Sequence, residues 1–462
     1  MKMNRWTLGG AAGIGLLVWP LVGAPDLTAQ QASGWTPTIA PVASPAAANS
    51  GEPQLTVSDR GVLLSWIERD GGKMTLRFAE RTPTGWTDPR TVASGDDWSI
   101  NAMDVPSVLR VSGDTLAGSW MQKSGSGMHS SAVRLSYSKD DGRTWAPSFT
   151  PHQEGTHAER LFASLFQMSG GAGLGLIWLE GAATQAGTGA APRTQPSHAA
   201  GTEHMHKPPT GQKGHDSSAV ASAKAEGHGG PGAMGGGGAM TVRFASFDTA
   251  WKRTTEMPID LRVCECCPTA AAVTSEGVIA AYRNRSDDEI RDIYVSRFEQ
   301  GRWSEPVSVH ADNWRIPACP VNGPALSARD RDVAITWYTV KQDQGQAYAA
   351  FSRDAGRTFG KPIRLDDGGS LGRVDVQMLS DESALATWIE FAAGRAQFRT
   401  RRVTIAGARS APVTIAGLAA SRTSGYPRVA RHGDEVVFAW TETEGGRSQV
   451  RTAVARFSTL AR

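Results

Sequence analysis

A short apolar run closing on an aromatic side chain recurs seven times along this chain: Val62–Trp66, Leu116–Trp120, Leu174–Trp178, Val278–Tyr282, Val333–Trp337, Ala384–Trp388 and Val436–Trp440. Successive copies lie 51 to 58 residues apart, except that the gap between Trp178 and Tyr282 carries an extra segment of about sixty residues. A turn residue opens a further strand before many of the runs, as at Pro106–Leu109 and Gly323–Leu326, and an alternating strand follows, as at Ala132–Tyr137 and Ala347–Phe351. Alternation with period two marks strands that bury one face. A unit this short cannot bury its apolar faces alone, so copies must stack, and four short strands per unit at this period predict a blade of a β-propeller. The expected fold is all-β, a seven-bladed β-propeller of four-stranded antiparallel blades, with a six-bladed ring as the alternative. The seventh unit ends near Phe457, short of a fourth strand, while Gly34–Ala40 resembles the fourth-strand segment Gly85–Thr91. The N-terminal strand is therefore expected to complete the last blade, which removes the open sheet edges that template aggregation.

The first residues carry Lys2 and Arg5, then an apolar stretch from Trp6 to Val22 and small residues up to Ala29. That order is a secretory signal peptide over residues 1–29, with an uncleaved anchor as the alternative. It implies a periplasmic or secreted protein with no stable membrane insertion after cleavage. Residues 30–180 then hold the closing strand and blades 1–3, residues 181–240 an insert within blade 3, and residues 241–462 the rest of the ring. Lys and Arg number 48 against 45 Asp and Glu, a near balance that gives no electrostatic footprint for nucleic acid. The composition is silent on oligomeric state.

Two turns are more specific. Ser138–Trp145 and Ser352–Phe359 both read S-x-D-x-G-x-T-[WF], the Asp-box. Its acid can accept backbone N–H groups across a tight hairpin whose glycine takes a positive φ, so the box is a folding device. These boxes and the repeat resemble the sialidase-like (BNR, or Asp-box repeat) propellers over nearly the whole mature chain. The segments around Cys264–Thr269, Tyr282–Asp292, Ala318–Pro324 and Gly372–Asp375 are similar to a bacterial branch of these propellers that carries a Cys-x-Cys-Cys turn. For members that cleave sialic acid, the resemblance implies an arginine cluster on the substrate carboxylate, a tyrosine nucleophile supported by glutamate, and an aspartate acid/base. The family's early arginine motif has its only similar tetrapeptide here at Trp314–Pro317, in the wrong part of the chain. Arginines that open innermost strands, Arg160, Arg373 and Arg428, with Tyr426 and Asp375 nearby, are candidates to grip an anion or else to form ordinary ion pairs.

Propeller geometry puts the connections leading into each first strand, and those between second and third strands, on one face, and the Asp-box turns on the other. Cys264, Cys266, Cys267 and Cys319, the charged loop Arg283–Asp292, and the 181–240 insert all fall on the first face of neighbouring blades. Candidate ligand-binding residues there are Arg283, Arg285, Asp288, Arg291, Arg315 and Asn322, joined by Arg373, Asp375, Tyr426 and Arg428; an ion-pair network is the alternative role for the charged loop. Four cysteines in an exported chain point to disulfides, Cys267 with Cys319 and Cys264 with Cys266 being one of three pairings. The competing reading is a soft-metal site, since a Cys-x-Cys-Cys turn supplies thiolates suited to copper(I) or zinc. The insert has no aromatic residue yet holds His204, Met205 and His206, a weak copper-type donor set in a segment expected to be disordered. The glutamate two places after the anchor tryptophan in four units (Glu68, Glu180, Glu390, Glu442) is read as a repeat constraint. Three functions follow: a non-catalytic module binding a glycan, peptide or protein through the cysteine-bearing face; an exo-acting sialidase-type glycoside hydrolase; or a periplasmic copper-binding protein. No cofactor is certain; copper or zinc is the candidate.

Overall fold

The structure, a computed structural model, describes residues 37–125, 130–153, 158–171, 173–182, 239–380 and 382–456. Their strands form seven antiparallel sheets, and the innermost strand of each sheet touches the innermost strands on either side, the last touching the first. The fold is a seven-bladed propeller, and six blades are excluded. Blade 1 comprises Ser50–Ser58, Gly61–Asp70 and Lys73–Thr82, with an outer strand broken into Gly85–Trp86 and Arg90–Gly95. Blade 2 has three strands, Ser107–Ser112, Thr115–Lys123 and Ser131–Ser138, and its outer position is held by one bridge between Leu135 and Phe149. Blade 3 runs Arg160–Gln167, Leu174–Glu180, Met240–Phe247 and Arg253–Val263, so the insert leaves after the second strand and returns at the third. Blade 4 runs Ala270–Thr274, Gly277–Arg283 and Ile293–Glu299, with outer pieces Arg302–Trp303 and Val307–Ser308; blade 5 runs Ala325–Arg329, Asp332–Lys341, Gln344–Ser352 and Ile363–Arg364. Blade 6 is Ser370–Ser380, Ser383–Ala392, Arg395–Thr404 and Val413–Leu418.

Blade 7 is Arg428–His432, Glu435–Glu444 and Arg447–Arg456, completed by the N-terminal strand Ala40–Val42, which pairs antiparallel with Ala40 opposite Val454. The closure expected from sequence is thus present, a few residues later than the segment that suggested it. Arg81 of blade 1 locks the seam by a two-pronged ion pair to Glu435 of blade 7, at 2.8 and 2.9 Å. Residues 1–36, with the signal peptide, and 183–238, with His204, Met205 and His206, lie outside the described residues.

The recurrent anchors fill the spaces within and between blades: Trp66, Trp178, Trp337 and Trp388 are fully buried. Each indole must still satisfy its N–H. Trp66 donates to Glu68 at 3.0 Å, Trp178 to Glu180 at 3.4 Å and Trp388 to Glu390 at 2.8 Å. The same carboxylates pair with arginines on the next strand, Arg77, Arg243 and Arg399, which stand directly opposite the tryptophans. The repeated glutamate is therefore a structural rung. The Asp-boxes behave likewise: Asp140 accepts the Thr144 N–H at 2.9 Å and its hydroxyl at 2.6 Å, and Asp354 does the same with Thr358 at the same distances. Gly142, at φ 78°, sits where any side chain would strike the Phe78 ring.

Candidate functional site

The last strand of blade 3 ends at Val263, and the chain turns through Cys264–Cys267 before entering blade 4 at Ala270. The Cys264 N–H donates to the Arg283 carbonyl at 2.9 Å, which pins this turn to the end of blade 4's second strand. Met240, where the insert returns, pairs with Val263 immediately before the turn. Three sulfurs converge here. Cys264 Sγ lies 3.3 Å from Cys267 Sγ and 3.7 Å from Cys266 Sγ, and the three sulfurs lie within 4.8 Å of one another. Cys264 and Cys267 are each 1% exposed and Cys266 8%. Cys319, half-buried on the connection into blade 5, donates to Glu265 Oε1 at 3.6 Å, and Glu265, Cys266 and Cys319 form a second group within 4.8 Å. All four cysteines are free thiols. In this structure no S–S bond joins the four: Cys267 faces Cys264, and Cys319 faces Glu265.

The charged loop Arg283–Asp292 wraps this nest. Arg291 Nη1 donates to Cys264 Sγ at 3.2 Å and to Glu265 Oε2 at 3.1 Å, while its Nη2 pairs with Glu289 at 2.8 Å. Arg285 grips Glu289 at 2.8 Å and Glu265 Oε2 at 3.1 Å. Burial alone would raise the Cys264 thiol. Hydrogen bonds from Cys266 and Cys267, together with the Arg291 guanidinium, outweigh it and hold Cys264 well below the ordinary thiol range. Cys266 moves the opposite way, through the hydrogen bonds it shares with Cys264, Cys267 and Cys319 and through its burial, and burial pushes Cys267 up as well. The nest thus packs three sulfurs in mutual contact with a guanidinium on one of them, and it can act as a set of soft ligands once its protons leave.

The other candidate residues are spread over structural tasks. Arg283, 1% exposed, donates to the carbonyls of Asn322, Tyr338 and Arg291 at 2.6 to 3.0 Å and stacks 5.0 Å over Trp314. Asn322 ties blades 5 and 6 by accepting the Arg373 N–H at 2.7 Å, and the preceding Gly372, at φ 77°, is the residue a side chain would drive into that amide. Arg373 spends its guanidinium on the Ser421 carbonyl at 2.9 Å, and burial lowers it to about 10. Asp375 accepts the N–H groups of Val376 and Val429, linking blades 6 and 7, and burial raises its carboxyl. Arg428 lies 5.5 Å over the Tyr426 ring. Arg160 is bound to Glu180 at 2.7 Å. Arg315 is exposed, its backbone bridged to Ile290, and Asp288 is exposed on the same loop.

Arg373 and Arg428 both lie close enough to Tyr426 to act on its hydroxyl, and Arg428 acts on Asp375, whereas Arg160 sits apart on Glu180. Tyr426 is held in a hydrogen-bonded, buried setting. It is 3% exposed, its hydroxyl donates to the Val321 carbonyl at 2.9 Å and accepts from the Gly323 N–H at 3.2 Å, and burial pushes its ionisation upward. Tyr338 is likewise pushed up to about 12 by burial. Two residues that sequence reading passed over carry clear signals in three dimensions. Glu265, between the cysteines, joins both sulfur groups to both arginines. Asp104, 2% exposed and bonded only to the Phe162 N–H at 3.1 Å, is raised by burial to about 7. A carboxylate inside a Cys-x-Cys-Cys turn is visible in the sequence as Glu265; Asp104 has no local motif.

No protein-family model matches the chain, and no curated protein matches it by sequence. Among solved structures, NanB sialidase from Streptococcus pneumoniae is similar over 90% of this chain and 94% of its own, with 10% identity and a TM-score of 0.44. The polysaccharide lyase Uly1 is similar over 95% of this chain and 94% of its own, with 10% identity and a TM-score of 0.47. The endosialidase of phage phi92 is similar over 92% of this chain and 70% of its own, with 9% identity and a TM-score of 0.48.

Proposed function

We propose that this chain is an exported, non-catalytic binding propeller whose cysteine-bearing face takes a soft metal ion, copper(I) or zinc, through Cys264, Cys266 and Cys267. One observation carries the reading: three buried sulfurs lie within 4.8 Å of one another, with a guanidinium on one of them. Thiolates are the ligands that copper(I) and zinc select, and a site that keeps one sulfur ionised before the ion arrives lowers the cost of deprotonating the set. Arg291 and Arg285 act as the outer support, orienting Cys264 and Glu265. Export rests on the charged, apolar and small-residue order of the first 29 residues. A hydrolase of sialidase type has less support, because Tyr426 is buried and hydrogen-bonded, Arg160 is held by Glu180 and Arg373 by the Ser421 carbonyl. A glycan or protein ligand on this face remains the alternative occupant.

The test is metal analysis by mass spectrometry on protein purified from its own compartment, with thiols counted under denaturing, non-reducing conditions after chelation. Bound copper or zinc at one ion or more per chain, with titratable thiols, is expected. Absence of metal together with absence of thiols overturns the reading, makes the cysteines disulfide staples and turns the search to glycan and protein partners.

A further inference from the structure

The two sulfur groups overlap at one residue. We propose that the nest holds two soft metal ions, with the Cys266 thiolate bridging a Cys264–Cys266–Cys267 position and a Glu265–Cys266–Cys319 position. This rests on the metal reading above and goes past it in number, ligand set and place.

Four features support the second position. Cys266 is the only residue common to both groups of converging donor atoms, and its sulfur lies 3.7 Å from that of Cys264 and within 4.8 Å of those of Cys267 and Cys319, so it already stands between the two positions. Glu265 divides its labour: Oε2 is held by Arg285 and Arg291 at 3.1 Å each, which leaves Oε1 aimed at Cys319. The Cys319 S–H···Oε1 contact of 3.6 Å lines up a proton that an ion can replace without moving either partner far. Cys319 is also the only half-buried cysteine, so the second position opens toward solvent while the first is closed. A thiolate has lone pairs for two ions, and a mixed thiolate–carboxylate set suits zinc as well as copper(I).

The proton balance follows from the ligand sets. The first ion displaces the protons carried by the Cys264, Cys266 and Cys267 sulfurs, and the second displaces that of Cys319 alone, because the bridging sulfur is already bare; no electron is transferred. Ion binding thus forms metal–sulfur bonds, breaks S–H bonds and sends each proton to buffer. The second ion would tie the connection leading into blade 4 to the one leading into blade 5.

The experiment is an anaerobic titration of the full, reduced chain with copper(I) supplied from a competing chelator, and separately with zinc, read by native mass spectrometry and by proton release into a pH indicator. Wild type is expected to take two ions per chain, with the second step releasing fewer protons than the first. Cys319→Ser and Glu265→Gln are each expected to stop at one ion, and Cys266→Ser to lose the two-ion species. X-ray absorption of the two-ion form should show metal–metal scattering that Cys319→Ser lacks. One ion in wild type, unchanged in Cys319→Ser, overturns the bridged pair and leaves the single site standing. No ion at all in folded wild type overturns the metal reading itself. Circular dichroism melts of each variant separate ligand loss from unfolding.

Discussion

The Asp-box turn at Ser138–Trp145 and the cysteine turn at Cys264–Cys267 are both short connections at the rim of the same ring, and both gather polar groups around one ionised residue. In the Asp-box the ion is Asp140, half-buried, and its partners are the hydroxyl and N–H of Thr144 four residues on. The same arrangement repeats at Asp354, and every partner lies within the turn. In the cysteine turn the ion is Cys264, buried, and its guanidinium partner comes from Arg291, 27 positions away on another loop. The turn occurs once, and its groups are arranged at the expense of burying charge. A local, repeated, self-satisfied motif serves the fold; the singular motif that draws distant charged residues around buried thiols is the one proposed above to take a ligand.

The sharpest way to break this contrast is Cys264→Ser, which should abolish stoichiometric metal binding while leaving the melting temperature of the reduced, metal-free chain nearly unchanged; equal losses in both would make the turn structural. On the structural side, Glu390→Ala removes the acceptor shared by Trp388 and Arg399 and should cost about 3 kcal/mol in chemical denaturation, with metal stoichiometry unaffected. Arg291→Gln tests whether outer support matters: metal affinity should fall by roughly 10–100-fold by chelator competition, with Arg291→Lys recovering part of it. The smallest effect is on acid stability. Asp140 and Asp354 are each held at about 2 in the fold against an ordinary 3.8: Thr144 and Ser138 bonds lower Asp140, and for Asp354 burial raises it but the Thr358 and Ser352 bonds prevail. Both carboxylates therefore stabilise the fold above about pH 4 and lose that contribution as the pH falls from 4 toward 2. The double variant Asp140→Asn with Asp354→Asn should show a shallower decline of melting temperature over that interval than wild type, and no change in metal binding at neutral pH.

Much of the ring was legible because its information is local and repeated. The seven anchors, the two boxes, the position of the insert and the borrowed strand Ala40–Val42 each follow from patterns within a few residues, and the structure carries all of them. The site was legible only to the level of which loops share a face. Cys264 to Cys267 and Cys319 do meet there, with no S–S bond among them in this structure, and of the arginines expected to grip an anion Arg160 is bound to a carboxylate and Arg373 to a carbonyl, while Arg428 lies over Tyr426. Charge in a sequence shows that partners are needed and is silent on which they are.

What the sequence by itself determined is the closed seven-bladed ring, since units too short to bury their own apolar faces can be satisfied only by neighbours and by closure of the last on the first. What only the tertiary structure decided is the assembly of the nest: Arg291 reaching Cys264, Glu265 standing between two sulfur groups, and Cys266 common to both. The physical reason is range. Strand alternation and turn chemistry act over neighbouring residues, whereas the state of a buried thiol depends on solvent exclusion and on charges brought to within a few ångströms by loops from separate blades.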